Sequence, residues 1–122
     1  MNNPVRWFEI YVQDMGRARA FYEQVLGRRL VAMQSGDIEM WGFGGDPATA
    51  GTAGALVRVP GVTGGGFGTM VYFATDDCAI EAARVAEAGG RLHRGKMSIG
   101  QYGYVALAVD TEGNMFGLHS QR

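Results

Sequence analysis

The chain has 122 residues, 47% apolar and 19% charged, which suits one compact domain and excludes intrinsic disorder. Eleven basic against twelve acidic residues leave a net charge of -1, with no block of like charges, so no nucleic-acid surface is expected. The single cysteine, Cys78, excludes an internal disulfide and any paired-cysteine metal or redox motif; it reads as a small buried hydrophobe at a helix start.

The start, Met1-Asn2-Asn3-Pro4, is polar and shows no signal-peptide pattern. Apolar runs reach about five residues, far short of the ~20 that a membrane span needs. The expectation is a cytoplasmic protein without membrane contact. Trp7 to Val12 alternates as a strand, with Phe8, Ile10 and Val12 on one face. Asp14 then caps a helix of about eleven residues, in which Met15, Ala18, Phe21, Tyr22 and Val25 recur at helical spacing and Gly27 is the stop. Three short strands follow, at Leu30 to Gln34, Ile38 to Phe43 and Ala55 to Val59, with a flexible loop from Gly44 to Gly54. Gly61 to Gly68 reads as a linker, and Gly64-Gly65-Gly66-Phe67-Gly68 does not complete a GxGxxG phosphate cradle.

The second half follows the same plan. Met70 to Thr75 is a strand, Asp77 a cap, Cys78 to Ala88 a helix and Gly89-Gly90 its stop. Strands follow at Arg91 to Lys96, Tyr104 to Val109 and Met115 to His119. Asp110-Thr111-Glu112-Gly113-Asn114 makes the last hairpin turn, with Gly113 and Asn114 expected at positive φ. A shift of 63 residues lays Asp14 on Asp77, Ala20 on Ala83, Gly27 on Gly90, Arg28 on Arg91 and Gly54 on Gly117, the mark of an internal duplication. The fold class is therefore α+β, a β-α-β-β-β module made twice. The modules are residues 1–60 and 69–122, joined by the linker 61–68 within one domain. Each helix covers one face of its own sheet, and the remaining faces are expected to curl around a shared cleft.

The segments Phe8 to Asp14, Ala20-Phe21-Tyr22-Glu23-Gln24-Val25-Leu26-Gly27, Tyr72 to Asp77 and Asp110 to Asn114 resemble the vicinal oxygen chelate superfamily. That superfamily holds glyoxalases, bleomycin-resistance proteins and extradiol dioxygenases. The resemblance spans nearly the whole chain and implies two modules around a cleft, in a homodimer. Its metal-dependent members carry one ligand, usually His or Glu, on the first and on the last strand of each module. Carried over, those positions are Trp7, Gly54, Met70 and Gly117. None is a His, Cys or carboxylate, so neither a metal nor another cofactor is expected.

Alternation turns Trp7, Glu9 and Tyr11 of the first strand toward the cleft, with Met70, Tyr72 and Ala74 of the fifth and Met115, Gly117 and His119 of the last. Glu9 stands mid-strand between aromatics. It is either a ligand-binding group or general base, or a carboxylate satisfied by a backbone N–H or by an arginine such as Arg58. His119 is either a site residue or a strand-end histidine with one hydrogen bond. Glu39 and His93 are expected in solvent, and Asp14, Asp77 and Asp110 as caps or turn residues. Three functions follow. The first is a metal-independent protein that holds a small aromatic or cationic ligand with Trp7, Glu9, Tyr11, Met70, Tyr72, Met115 and His119. The second is an enzyme of the same superfamily (lyase, isomerase or dioxygenase-like) with Glu9 and His119 as acid–base groups. The third is a structural or interaction protein whose cleft is filled by side chains.

Overall fold

Asp14, in extended backbone, accepts a hydrogen bond from the Arg17 N–H at 3.0 Å and starts α1 (Met15–Leu26). Gly27 ends it in the left-handed conformation at φ 65°, its N–H returning to the Glu23 carbonyl, a conformation that glycine enters without a Cβ penalty. Asp77 repeats the first device. Its carboxylate accepts from the Ala79 N–H at 3.0 Å at the head of α2 (Cys78–Arg84). This helix stops four residues before the expected Ala88. At Val85 the N–H bonds Ala82 instead of residue 81, so the ladder tightens, and residues 85–89 continue as turns. The expected glycine stop still closes the segment: Gly90 N–H bonds Val85 O and Gly89 N–H bonds Ala86 O, the paired bonds of a Schellman motif.

The computed structural model describes residues 3–33, 36–62 and 68–122. Gln34 and most of the expected linker (63–67) lie outside the described residues. The strands are β1 (Val5–Tyr11), β2 (Val31–Met33), β3 (Glu39–Gly42), β4 (Ala53–Arg58), β5 (Thr69–Ala74), β6 (Arg91–Ser98), β7 (Tyr104–Val109) and β8 (Met115–Ser120). They fall in two compact units, Trp7–Thr69 and Met1–Arg6 with Met70–Arg122. In the first the strand order is β2-β3-β4-β1, with β1 and β4 parallel. In the second it is β5-β8-β7-β6, with β5 and β8 parallel. Each unit is thus a β-α-β-β-β arrangement and the class is α+β. A 3-10 turn, Gly100–Tyr102, links β6 to β7 and was not marked by any sequence signal.

Each unit packs its own helix on its own sheet. Met15, Leu30, Phe43 and Leu56 form one core, with Phe8, Ile10, Val12, Ala18 and Tyr22 against it. Cys78, Ala82, Ala106 and Leu118 form the other, with Phe73, Tyr104 and Phe116. Cys78 is fully buried, as a small hydrophobe. Glu39 and His93 are exposed. In the last hairpin Asp110 Oδ1 accepts from the N–H groups of Glu112 and Asn114. Gly113 alone of the two expected residues has positive φ, at 85°; the carboxylate holds Asn114 in place without it.

The Asp77 cap carries a pH signature. Lys96 Nζ lies 2.9 Å from its carboxylate and 4.7 Å above the Tyr104 ring. That hydrogen bond first, and the Ala79 N–H second, hold the Asp77 carboxyl below its ordinary 3.8. A depressed folded value adds stability that is present above the unfolded value and lost as pH falls through the folded one. Urea midpoints taken from about pH 5 to 2 should therefore show wild type losing its advantage over Asp77→Ser, which keeps a cap but not the charge. A constant difference across that range would show that Lys96 and Asp77 contribute nothing as ions.

Candidate functional site

Because Phe8, Ile10 and Val12 pack toward α1, the pleat turns Trp7, Glu9 and Tyr11 to the opposite face of β1. Residues two apart on one strand face stand roughly 7 Å apart, so a carboxylate between two long aromatics reaches both. Trp7 Nε1–H donates to Glu9 Oε2 at 3.2 Å, and the Tyr11 hydroxyl donates to Oε1 at 2.7 Å. Glu9 is 8% exposed, whereas Trp7 and Tyr11 are half-buried. Burial of a carboxylate is costly unless its oxygens find donors, and here its two flanking neighbours supply them. Arg58, the arginine named as a partner for Glu9, lies exposed at the end of β4 and donates through Nε to the Gln13 carbonyl at 3.0 Å.

The rest of this face comes from β4. Trp7, Glu9 and Tyr11 stand in register with Ala53, Ala55 and Val57, so short side chains flank the long ones. Ala55 and Val57 are buried. Sequence reasoning missed them because β4 begins at Ala53, two residues before the expected start. The apolar run from Ala53 to Val57 carries no alternation to show which face each residue takes.

In the other unit Met70, Tyr72 and His119 are buried and Met115 is exposed. Tyr72 is in register with Gly117, and its ring lies where a Cβ on Gly117 would be. His119 Nε2 is 2.6 Å from the Tyr102 carbonyl. A carbonyl only accepts, so Nε2 is the donor of this contact. Nδ1 is buried and meets no partner among the described residues. Tyr102, in the unmarked 3-10 turn, could not have been found from the strand pattern.

These registers correct one equivalence. The 63-residue shift lays Glu9 on Tyr72 and Gly54 on Gly117, yet Glu9 pairs with Ala55 and Tyr72 with Gly117. Ala55 is therefore the counterpart of Gly117, as Leu56 is of Leu118 in the two cores, and the repeat shortens to 62 (117 − 55) at the last strand. Gly54 instead faces the Phe8 ring and carbonyl, 2.5 Å from where its Cβ would be.

The positions marked for metal ligands are thus Trp7, Ala55, Met70 and Gly117, and none supplies a nitrogen, thiolate or carboxylate donor. Among the described residues no three His, Cys, Asp or Glu side chains are grouped to hold a metal ion. The donor set does not fit the metal of the metal-dependent members. No helix among the described residues is long and apolar enough to cross a membrane.

Comparison with known families gives a match over residues 5–118 to the Glyoxalase/Bleomycin resistance protein/Dioxygenase superfamily. No curated protein sequence matches the chain. Among solved structures, a methylmalonyl-CoA epimerase from Mycobacterium tuberculosis is similar at 16% identity and TM-score 0.68, over 98% of this chain and 88% of that one. An NAD-dependent benzaldehyde dehydrogenase from Legionella pneumophila is similar at 14% and 0.61, over 95% and 98%. A hypothetical protein from Bacillus halodurans C-125 is similar at 12% and 0.71, over 100% and 96%. At such identities the likeness establishes the fold and leaves activity to the residues themselves.

Proposed function

The chain belongs to the glyoxalase/bleomycin resistance protein/dioxygenase superfamily, and from that premise we propose a small-molecule-binding protein that works without a metal. Its ligand is small and aromatic or cationic, and it lies on the Trp7–Glu9–Tyr11 face. The observation that carries this reading is the carboxylate held between an indole N–H and a phenol O–H, beside two half-buried rings. Aromatic walls with a few placed polar groups are the usual make-up of small-molecule sites. Both oxygens of Glu9 accept from its neighbours, which fixes the carboxylate between the two rings.

A thermal-shift screen of small aromatic compounds tests the reading. A ligand that binds only the folded chain adds ~2.7 kcal/mol at a hundredfold excess over Kd, and Trp7→Ala should abolish that shift while the variant still melts cooperatively. Zinc, nickel, manganese and ferrous iron at millimolar levels should leave the melting temperature unmoved, with or without chelator. A metal-dependent rise of several degrees, reversed by chelator, would sink the metal-independent reading.

Assembly is the second part of the proposal. In each unit one edge strand, β2 or β6, has no partner on its outer side within that unit's strand order, and such edges are commonly covered. The family resemblance points to a homodimer. Sedimentation at micromolar concentration should give twice the 13.1 kDa chain mass; a monomer at that concentration would remove the dimer.

A further inference from the structure

We infer that two copies of this chain join through the outer edge of β2, by antiparallel pairing about a two-fold axis at Ala32, with Asp37 of each copy set against Arg28 and Arg29 of the other. This rests on the homodimer proposed above and deepens it by naming the surface. The two edge strands differ in how they are guarded. β6 carries Arg91, Arg94 and Lys96, and its register against β7 shifts twice, between Leu92 and Arg94 and between Arg94 and Met97. Charged side chains and bulges are the usual protection of an edge against further pairing. β2 is Val31-Ala32-Met33, without a charge, and it keeps one register with β3 throughout. Its Val31 is 59% exposed.

A two-fold axis normal to a sheet keeps like faces together, so a strand residue can oppose only itself or one an even number of places away. The register centred on Ala32 gives every residue of β2 a partner. Ala32 lies on the face of Trp41, which packs against the α1 core, so Val31 and Met33 lie on the other face. Each Val31 then meets Met33 of the second copy as an apolar cross-strand pair. Charge fits the same arrangement. Arg28 and Arg29 stand before β2 and, with Glu23, Gln24 and Gly27, line a recess of about 470 Å³ at the end of α1. Glu23 is already engaged there by the Leu30 N–H at 2.9 Å and by Arg19 at 3.7 Å, which leaves the recess basic. Asp37 is exposed beyond the other end of β2. Antiparallel pairing carries the far end of one strand to the near end of the other, so each acid approaches the arginines of the other copy, and the symmetry makes that contact twice.

Register and charge can be tested separately. The one native cysteine, Cys78, is fully buried, so an introduced thiol reports alone. In this register Ala32 opposes itself, within disulfide reach. Under oxidised glutathione the full chain carrying Ala32→Cys should therefore form a disulfide-linked dimer at least about tenfold faster than one carrying Leu92→Cys on the β6 edge. Sedimentation equilibrium should show Asp37→Arg weakening the dimer at least about tenfold, since the reversal sets like charges together at both ends of the interface. Arg28→Asp with Arg29→Asp in that background should bring the dimer back to within about threefold of wild type, because the pairing is then restored with its signs exchanged.

Equal cross-linking of the two cysteine variants, or a dimer indifferent to Asp37→Arg, overturns the β2 interface and leaves the homodimer standing. A triple variant as weak as Asp37→Arg alone overturns the pairing of Asp37 with the arginines. A wild-type monomer at micromolar concentration removes the homodimer and the interface together. The substituted positions are all exposed, and wild type alone gives a further test if a variant fails to fold. Raising salt from about 50 to 500 mM should weaken its dimer by screening the two acid–arginine contacts, and a dimer that salt leaves unmoved overturns them.

Discussion

Gly117→Ala is expected to destabilise the chain by about 1–3 kcal/mol, against the usual rule that alanine improves on glycine inside a strand. The reason is local. Gly117 pairs with Tyr72 across the parallel β5–β8 register, and the Tyr72 ring occupies the space a Cβ would need, three of its carbons being the nearest atoms to that point. Tyr72 is 9% exposed, so the ring cannot swing away without leaving a void. Tyr72→Ala on its own should cost about 3–5 kcal/mol, the range for losing a buried aromatic side chain. In the Tyr72→Ala background the sign should reverse, with Gly117→Ala gaining about 0.5–1 kcal/mol from backbone entropy. Urea denaturation of the four proteins closes this cycle. An equal cost of Gly117→Ala in both backgrounds would show that the ring is not the obstacle.

The same pair explains why the ligand position on β8 cannot simply be refilled. A Gly117→Glu side chain would begin inside the Tyr72 ring, so it should destabilise the fold before it offers an oxygen to a metal. The other unit solves the same packing problem the opposite way. There Ala55 supplies the Cβ, and the paired residue is the slim Glu9 instead of a ring. A slim acid with a methyl neighbour in one unit, and a ring with a bare glycine in the other, occupy the corresponding places of the duplicated sheet.

How much of this was legible in the sequence depends on the kind of signal. The caps were, because Asp14 and Asp77 act within three residues of themselves and the glycine stops act at once. The facing of β1 was, because Phe8, Ile10 and Val12 alternate cleanly with Trp7, Glu9 and Tyr11. The end of α2 was not: an alanine-rich run has no residue that announces the switch from fourth-neighbour to third-neighbour bonding at Val85. The slip from 63 to 62 at the last strand was not either. Gly54 and Gly117 are both glycine and both conspicuous, yet each answers a different ring in its own unit, Phe8 on the helix side and Tyr72 on the other. A one-residue slip exchanges the faces of a strand, and only the register with β1 and β5 settles it. The donation of both aromatic protons to Glu9 lay beyond the sequence as well, since burial alone pointed equally to an arginine partner, a backbone N–H or a ligand.

Leu56→Ala should be among the most damaging changes in the molecule, lowering stability by about 2–5 kcal/mol. Leu56 has no exposed surface and closes the core of Met15, Leu30 and Phe43 beneath the Phe8 and Tyr22 rings. β4 is flanked by β3 and β1, so its backbone is held on both sides and cannot relax into the space left by the missing methyl groups. Leu118, its counterpart on β8, is 6% exposed and sits in a core of the smaller Cys78, Ala82 and Ala106. Leu118→Ala should fall in the lower part of the same range. Urea midpoints of the two variants against wild type check the order. A larger loss for Leu118→Ala than for Leu56→Ala would show that the wholly enclosed leucine of β4 is not the less replaceable of the two.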